Sequence, residues 1–142
     1  MKTSLRFLRF GIVGGSGVLV NEATLYLLHD PTKLRLPLMW SAVVAWQVAV
    51  INNFAWNEAW TFADRVGGSS GAKGRPLRFL RFEVICLVGL GINLLVLHFC
   101  TDRLRIDYRL ANLVAIGVST AWNFLINHRF NWSSRAVTGE AS

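Results

Sequence analysis

Four long apolar segments, separated by short polar stretches, dominate the chain and predict four membrane-spanning helices. The segments run over about Phe10–Leu28, Leu38–Trp60, Val84–Cys100 and Leu110–Phe130. A helix needs about 20 mostly apolar residues to cross a hydrocarbon core of roughly 30 Å, and all four segments are close to that length. The third is the shortest, and its start can extend back through Phe82. The predicted fold class is therefore an all-α membrane protein, with residues 1–142 as a single transmembrane domain.

The composition also indicates a membrane protein rather than a soluble domain. Hydrophobic residues make up 53% of the chain and charged residues only 16%, whereas soluble domains average about 25% charged residues. A chain of 142 residues has room for one domain. The apolar surface of such a chain is better explained by lipid contact than by a large internal core.

Basic residues lie beside the predicted spans and are distributed unequally between the two sides of the membrane. Ten lie on the side of the termini and the central loop: Lys2, Arg6, Arg9, Arg65, Lys73, Arg75, Arg78, Arg81, Arg129 and Arg135. Five lie on the other side: Lys33, Arg35, Arg103, Arg105 and Arg109. The positive-inside rule then predicts cytoplasmic N and C termini in a multi-pass protein of the cytoplasmic (inner) membrane. The net charge of +7 is explained by this bias, so no nucleic acid is expected as a partner.

The chain matches itself at a fixed offset, which predicts a tandem duplication. Residues 6–10 and 78–82 both read Arg-Phe-Leu-Arg-Phe. The same offset of 72 pairs Gly17 with Gly89, Asn21 with Asn93, Leu25 with Leu97 and Asp30 with Asp102, and an offset of 70 pairs Asn53, Phe54 and Asn57 with Asn123, Phe124 and Asn127. Each unit contains two spans, so both enter the membrane in the same direction, as two parallel two-helix repeats.

The repeats divide the chain into four parts. Repeat 1 covers about 6–62 and repeat 2 about 78–132, with a linker over 63–77 and a tail over 133–142. The stretch from Gly67 to Pro76 is rich in glycine and serine, as flexible linkers are. We expect it, and the tail after Trp132, to lack fixed structure.

Four asparagines are predicted to lie at one depth in the membrane. At a rise of about 1.5 Å per residue, Asn21 lies about 16 Å and Asn53 about 14 Å from the cytoplasmic edge. Their repeat partners Asn93 and Asn123 fall at the same level, and Asn57 and Asn127 form a second tier one turn nearer the cytoplasm. Two interpretations stay open: hydrogen bonds between helices, worth about 0.6–2 kcal/mol each, or a polar track for a headgroup that crosses the bilayer.

Glu22 is the one carboxylate well inside a predicted span. An ionisable group in the membrane is a candidate functional residue, because its burial is costly. Its repeat partner is Leu94, so the symmetry fails at this position. A proton or cation site and a neutral carboxyl bonded to a neighbouring helix are both consistent with the sequence.

The repeated Arg-Phe-Leu-Arg-Phe string places two arginines on one helix face in each half, because residues three apart are neighbours on a helix. These are Arg6 and Arg9, and Arg78 and Arg81. They either serve only as the positive-inside signal or bind a lipid phosphate at the inner membrane surface.

The sequence contains no pattern typical of an enzyme. It has no Gly-x-x-x-x-Gly-Lys-Ser/Thr loop for a nucleotide. His29, His98 and His128 have no metal-ligand spacing, and no nucleophile and base are paired. We therefore predict no catalytic residues, no metal and no cofactor.

One string near the end of the second span is specific enough to identify a family. Residues 53–62 read Asn-Phe-Ala-Trp-Asn-Glu-Ala-Trp-Thr-Phe, and in the second copy Phe130-Asn131-Trp132 replaces Trp-Thr-Phe. With the Arg-Phe start of each half and the mid-span asparagines of the first and third spans, the chain resembles the GtrA-like family from Arg6 to Trp132. The resemblance implies four spans and translocation of a polyprenyl-phosphate-linked sugar, such as undecaprenyl-phosphate glucose, for the glycosylation of cell-surface polysaccharide.

The candidate residues are compatible with that role and fall into two groups. The headgroup track would contain Asn21, Glu22, Asn53, Asn57, Asn93, Asn123 and Asn127, and the lipid phosphate would be bound by Arg6, Arg9, Arg78 and Arg81. Membrane lipids and the sugar lipid are the expected partners, and a homo-oligomer is plausible because four helices barely enclose a sugar.

Two alternative functions stay open. The protein can be a non-catalytic membrane anchor or partner of a glycosyltransferase, with the face from Arg65 to Arg81 as its docking surface. It can also be a small proton-coupled multidrug exporter that uses Glu22, although the charge bias of ten to five favours a fixed orientation.

Overall fold

The structure is a computed structural model that describes residues 2–66 and 74–132. These residues are almost entirely helical, and no strand occurs among them. In chain order the α-helices are α1 (Thr3–His29), α2 (Leu38–Trp56), the short α3 (Ala63–Val66), α4 (Arg75–His98) and α5 (Tyr108–Ile126). The all-α fold class is confirmed.

Four helical segments are long and apolar enough to cross a membrane, as predicted. They are Thr3–His29, Leu38–Thr61, Arg75–Arg103 and Tyr108–Asn131. The third is much longer than the predicted span, because the residues before the apolar run, including the Arg-Phe-Leu-Arg-Phe string, already belong to the same helix. Pro76 lies in the first turn of α4, where its missing N–H is not needed for helical hydrogen bonds.

The predicted linker is partly helical at both ends. Residues 63–66 form α3, and Arg75 and Pro76 belong to α4. The prediction of a flexible stretch over 67–76 was therefore wrong for Arg75 and Pro76. Its remaining part over 67–73, like the predicted tail over 133–142, lies outside the residues that the structure describes.

Three of the long helices end in a π-helical segment, which was not predicted. These segments are π1 (Asn57–Thr61), π2 (Phe99–Arg103) and π3 (Asn127–Asn131). The wider turn is closed by hydrogen bonds of 2.8 Å from Phe62 N to Asn57 O and from Trp132 N to Asn127 O. A π-helical turn bonds residues five apart rather than four, so the residues after it are rotated relative to an unbroken α-helix. Here Phe62 and Trp132 come to lie in the interior.

The chain forms two helical hairpins, one from α1 and α2 and the other from α4 and α5. Within each hairpin the helices pack along their length, whereas α1 meets α5 and α2 meets α4 through far fewer residues. The two hairpin loops share a feature: Arg35 and Arg105, which are 70 residues apart, both have φ of 55°. This left-handed conformation is uncommon for a residue with a side chain.

An aromatic cluster joins the two hairpins at the end of the bundle that carries α3, which we call the linker end. The rings of Phe62 and Trp132 stack with centroids 4.5 Å apart and an interplanar angle of 3°. Around them lie four further buried rings, from Phe10, Phe54, Phe82 and Phe124. A tryptophan near the end of a span is typical of an interfacial belt, but Trp132 is only 1% exposed. The preceding π-helical turn directs it inward.

We expect Trp132→Ala to destabilise the protein by about 3 to 5 kcal/mol, the usual loss when a buried large side chain is truncated. The comparison is Trp40→Ala, because Trp40 is 67% exposed. Equilibrium unfolding in detergent measures both variants. Equal losses for Trp132→Ala and Trp40→Ala would contradict the role of the stack.

Candidate functional site

A cleft of about 410 Å³ lies between the two hairpins, next to the aromatic cluster. Val50 belongs to both the cluster and the cleft wall, so the cluster forms the floor of the cleft. All four long helices contribute to the lining. The cleft brings together five residues predicted for the headgroup track: Asn21, Glu22, Asn53, Asn93 and Asn123.

Asn53 and Asn123 are held in place by a glycine on the facing helix. A side-chain carbon at Gly17 would lie 2.7 Å from Cγ of Asn53, and one at Gly89 would lie 2.8 Å from Cγ of Asn123. Real carbon atoms do not approach so closely, so only glycine leaves room for these amides. The same contact therefore occurs in each hairpin, at positions that the sequence offset pairs.

Asn52 lies outside the cleft lining but contacts Asn53, which belongs to the lining, and it was not identified from the sequence. Its Nδ2 donates to Ser16 Oγ at 3.2 Å and, at 3.4 Å, to Asn53 Oδ1. It was overlooked because its partner at an offset of 70 is Trp122, so the repeat gives no signal there. In the second hairpin, Asn123 Oδ1 is buried and has no hydrogen-bond partner among the described residues. The cleft thus contains a buried acceptor that a ligand hydroxyl could satisfy.

The predicted second tier of asparagines does not line the cleft. Asn57 and Asn127 are 1% and 0% exposed. Asn127 Nδ2 donates to Asn123 O at 2.8 Å, and its Oδ1 accepts from Asn131 Nδ2 at 3.1 Å. The prediction that they contact a headgroup does not fit this structure, because each begins a π-helical segment that packs inside the bundle.

Two of the four predicted phosphate-binding arginines are already paired with carboxylates. Arg6 is 3% exposed and donates to Asp64 Oδ2 at 2.6 Å. Arg78 donates to Glu58 Oε1 at 2.5 Å, and Arg75 bonds Glu58 Oε2 at 2.7 Å. Because these charges are already neutralised, a phosphate-binding role does not fit Arg6 and Arg78. Both acids lie in the segment just after α2, and helix-face spacing in the sequence does not predict where that segment packs.

The other two predicted arginines differ from this pair. Arg9 donates from Nη1 to Trp60 O at 3.2 Å and lies over the Trp60 ring, 5.0 Å from its centroid. Arg81 is exposed and makes no hydrogen bond or ion pair with a described residue. Of the predicted set, Arg81 is therefore the one whose charge is most open to a lipid phosphate.

Arg65 on α3 connects the first hairpin to the end of the second. Its Nη1 donates to His128 O at 3.0 Å and to Trp132 O at 2.7 Å. Helix ends leave carbonyls without partners, and a cation there satisfies them. Burial and, secondarily, nearby Arg6 lower the pKa of Arg65, whereas Asp64 opposes the shift.

The contacts between the hairpins define which end of the cleft is closed. Every ring stack, ion pair and hydrogen bond that joins the hairpins among residues 2–66 and 74–132 lies at the linker end. At the opposite end, which carries the two hairpin loops, no such contact joins them within the described chain. The cleft is closed at the linker end and open away from it.

Comparison with known proteins identifies relatives of this chain. The family model described as "GtrA/DPMS, transmembrane domain" matches residues 9–132. The chain is also 36% identical over 129 residues to a protein named dolichol-phosphate mannosyltransferase from Pyrococcus furiosus. That alignment covers 91% of this chain and 34% of the relative, so the chain spans about a third of the relative's length.

We expect Gly17→Ala to destabilise the protein, because the new methyl group occupies the space of the Asn53 amide. Gly15→Ala is the matched control in the same helix: no heavy atom lies within 4 Å of its new carbon, and alanine favours a helix by up to about 1 kcal/mol over glycine.

A double-mutant cycle measured by thermal unfolding in detergent tests this contact. Asn53→Ala should remove most of the penalty of Gly17→Ala, so that the two changes are strongly non-additive. Additive effects, or equal effects of Gly15→Ala and Gly17→Ala, would show that the close approach does not constrain Asn53.

Proposed function

We propose, because the chain belongs to the GtrA/DPMS transmembrane-domain family, that this multi-pass membrane protein moves a polyprenyl-phosphate-linked sugar from the inner to the outer leaflet of the cytoplasmic membrane. Membership in this family supports a membrane function related to lipid-linked sugars. The observation that carries the finer proposal is the cleft, in which asparagines from all four long helices meet.

The cleft has the chemistry that a sugar headgroup needs inside a membrane. A sugar hydroxyl that leaves water loses its hydrogen bonds, which is costly unless new partners replace them. Each asparagine offers both a donor and an acceptor. Since Asn53 and Asn123 are already held against Gly17 and Gly89, little ordering of these side chains is needed when a headgroup enters. The polyprenyl tail would remain in the bilayer.

The closed linker end suggests how the headgroup could enter from one side and leave from the other. With the predicted cytoplasmic termini, the floor of the cleft faces the cytoplasm, so this conformation would be open outward. Opening the floor requires the separation of Glu58 from Arg78 and of Phe62 from Trp132. Motion of one repeat against the other around a fixed site is the usual mechanism of transporters built from repeats.

The proposed transport needs no chemical step and no ATP. A phosphodiester carries one negative charge, and moving it outward is favoured by about 2.3 kcal/mol per 100 mV of membrane potential. Consumption of the sugar lipid outside would add further direction. We therefore propose a translocase rather than an enzyme, with glycosylation of cell-surface polysaccharide as the downstream use.

A second candidate function is that of a membrane partner for a glycosyltransferase. It is favoured by one observation. The matched relative is named a mannosyltransferase, and the part of that relative that aligns with this chain is only 34% of its length. In that case the chain would hold the sugar lipid or the enzyme without moving the lipid. Vesicles that contain only this chain and the lipid separate the two functions.

We expect the double variant Asn21→Leu, Asn93→Leu to lose most of its transport of polyprenyl-phosphate glucose, because two hydrogen-bonding side chains leave the cleft. Asn112→Leu is the control, since Asn112 is exposed and does not line the cleft. The assay follows cleavage of the sugar diol by periodate on one side of reconstituted vesicles. Normal transport by the double variant would contradict the polar track, and no transport by the wild type would favour the partner function.

We also expect Glu58→Gln to loosen the floor, because Arg75 and Arg78 lose their carboxylate. Cys86 lines the cleft and reports on access, in a background with the buried Cys100 replaced by alanine. Labelling of Cys86 by a membrane-impermeant maleimide from the linker-end side should accelerate several-fold.

Glu83→Gln is the control for this measurement, because Glu83 makes no ion pair with a described residue. A rate in Glu58→Gln equal to that in Glu83→Gln would mean that the ion pairs do not close the cleft.

A further inference from the structure

The lining of the cleft contains a carboxylate and no basic side chain. Among the described residues, its lining side chains with polar atoms are four asparagines, Ser119, Glu22, Trp46 and Cys86. Arg6 and Arg78 lie at the linker end and are neutralised there by Asp64 and Glu58, and Arg35 and Arg105 lie in the hairpin loops at the opposite end, outside the lining. The lining itself therefore carries one carboxylate and no basic side chain.

The carboxylate of Glu22 has no counter-ion and no hydrogen-bond partner among the residues that the structure describes. Its partner by the repeat offset is Leu94, so the carboxylate lies on the α1 wall and not on the α4 wall. A cleft inside a membrane has a lower dielectric constant than water, and charges act strongly there.

An uncompensated carboxylate discriminates between headgroups in two ways. It accepts charge-assisted hydrogen bonds from sugar hydroxyls, which are stronger than bonds between neutral groups. It also repels an anionic headgroup: at about 6 Å and an effective dielectric constant of about 20, the repulsion corresponds to roughly a hundredfold in affinity. A neutral sugar gains from Glu22, whereas an acidic sugar loses.

We infer that the cleft selects uncharged glycosyl headgroups and rejects acidic ones, with Glu22 as the specificity-determining residue. The same repulsion orients the substrate. The sugar lies against the α1 wall, and the phosphodiester lies toward α4 and α5, where the amides of Asn93 and Asn123 can donate. This inference rests on the proposed function for the class of ligand, a polyprenyl-phosphate-linked sugar, but it concerns binding rather than movement.

The test measures the binding of two lipids to the full chain in detergent, polyprenyl-phosphate hexose and polyprenyl-phosphate hexuronic acid. We expect wild-type protein to bind the hexose lipid at least tenfold more tightly than the hexuronic acid lipid. Glu22→Gln keeps the size of the side chain and removes its charge, so the ratio should fall to about threefold or less.

Glu83→Gln is the matched control, because it removes a carboxylate outside the cleft lining; it should keep the wild-type ratio. Equal binding of both lipids by the wild type, or an unchanged ratio in Glu22→Gln, would overturn the inference, as would failure to bind either lipid.

The vesicle assay separates this inference from the proposed function. Selective binding that Glu22→Gln abolishes, without any transport by the wild type, would support the inference and refute translocation. Transport of both lipids at equal rates by the wild type would support translocation and refute the inference.

Discussion

The stack of Phe62 on Trp132 joins the two hairpins at one end, and the cleft depends on that joint. Each hairpin is held together along its own length, but between the hairpins the described contacts are confined to the linker end. Because the bundle is closed there and not at the opposite end, a cavity can exist between helices that would otherwise pack against each other. The π-helical turns before Phe62 and Trp132 make the joint possible, since they direct both rings inward.

The membrane imposes the second constraint, because polar side chains inside it must find partners. The protein meets this constraint differently at two levels. Near the linker end, charged side chains pair with each other, as in Arg6 with Asp64 and Arg78 with Glu58, although single buried atoms such as Asn57 Oδ1 and Thr61 Oγ1 have no hydrogen-bond partner among the described residues. In the cleft, Asn123 Oδ1 and the Glu22 carboxylate also have no partner among the described residues. A polar group without a partner in a membrane is costly, and a ligand in the cleft can reach these two groups.

The sequence predicted the spans, and it grouped the four asparagines that line the cleft, because both follow from regular geometry. Apolar length determines whether a helix can cross the bilayer, and a constant rise per residue puts Asn21, Asn53 and their repeat partners at one depth. The prediction failed where the helix stopped being regular. Asn57 and Asn127 were assigned to the track by α-helical spacing, but each begins a π-helical turn that takes it into the interior. The pairing of Arg6 with Asp64 depends on the fold of α3, which no local pattern determines.

The two halves share their architecture but differ in charge. By the offset of 70, His128 occupies the position of Glu58, so Arg6, the counterpart of Arg78, has no acid there and pairs instead with Asp64 on α3. Glu22 faces the cleft from α1, whereas Leu94 occupies the paired position on α4. A repeated scaffold thus carries an asymmetric site, as expected if the two walls contact different parts of one ligand.

The most direct measurement of where the headgroup binds is photo-crosslinking with a polyprenyl-phosphate sugar that carries a diazirine on the sugar ring. If the sugar occupies the cleft, mass spectrometry should find the adducts on the cleft walls, chiefly within residues 14–22 of α1. Adducts confined to the linker end, around Arg75 to Arg81, would contradict a headgroup site between the hairpins.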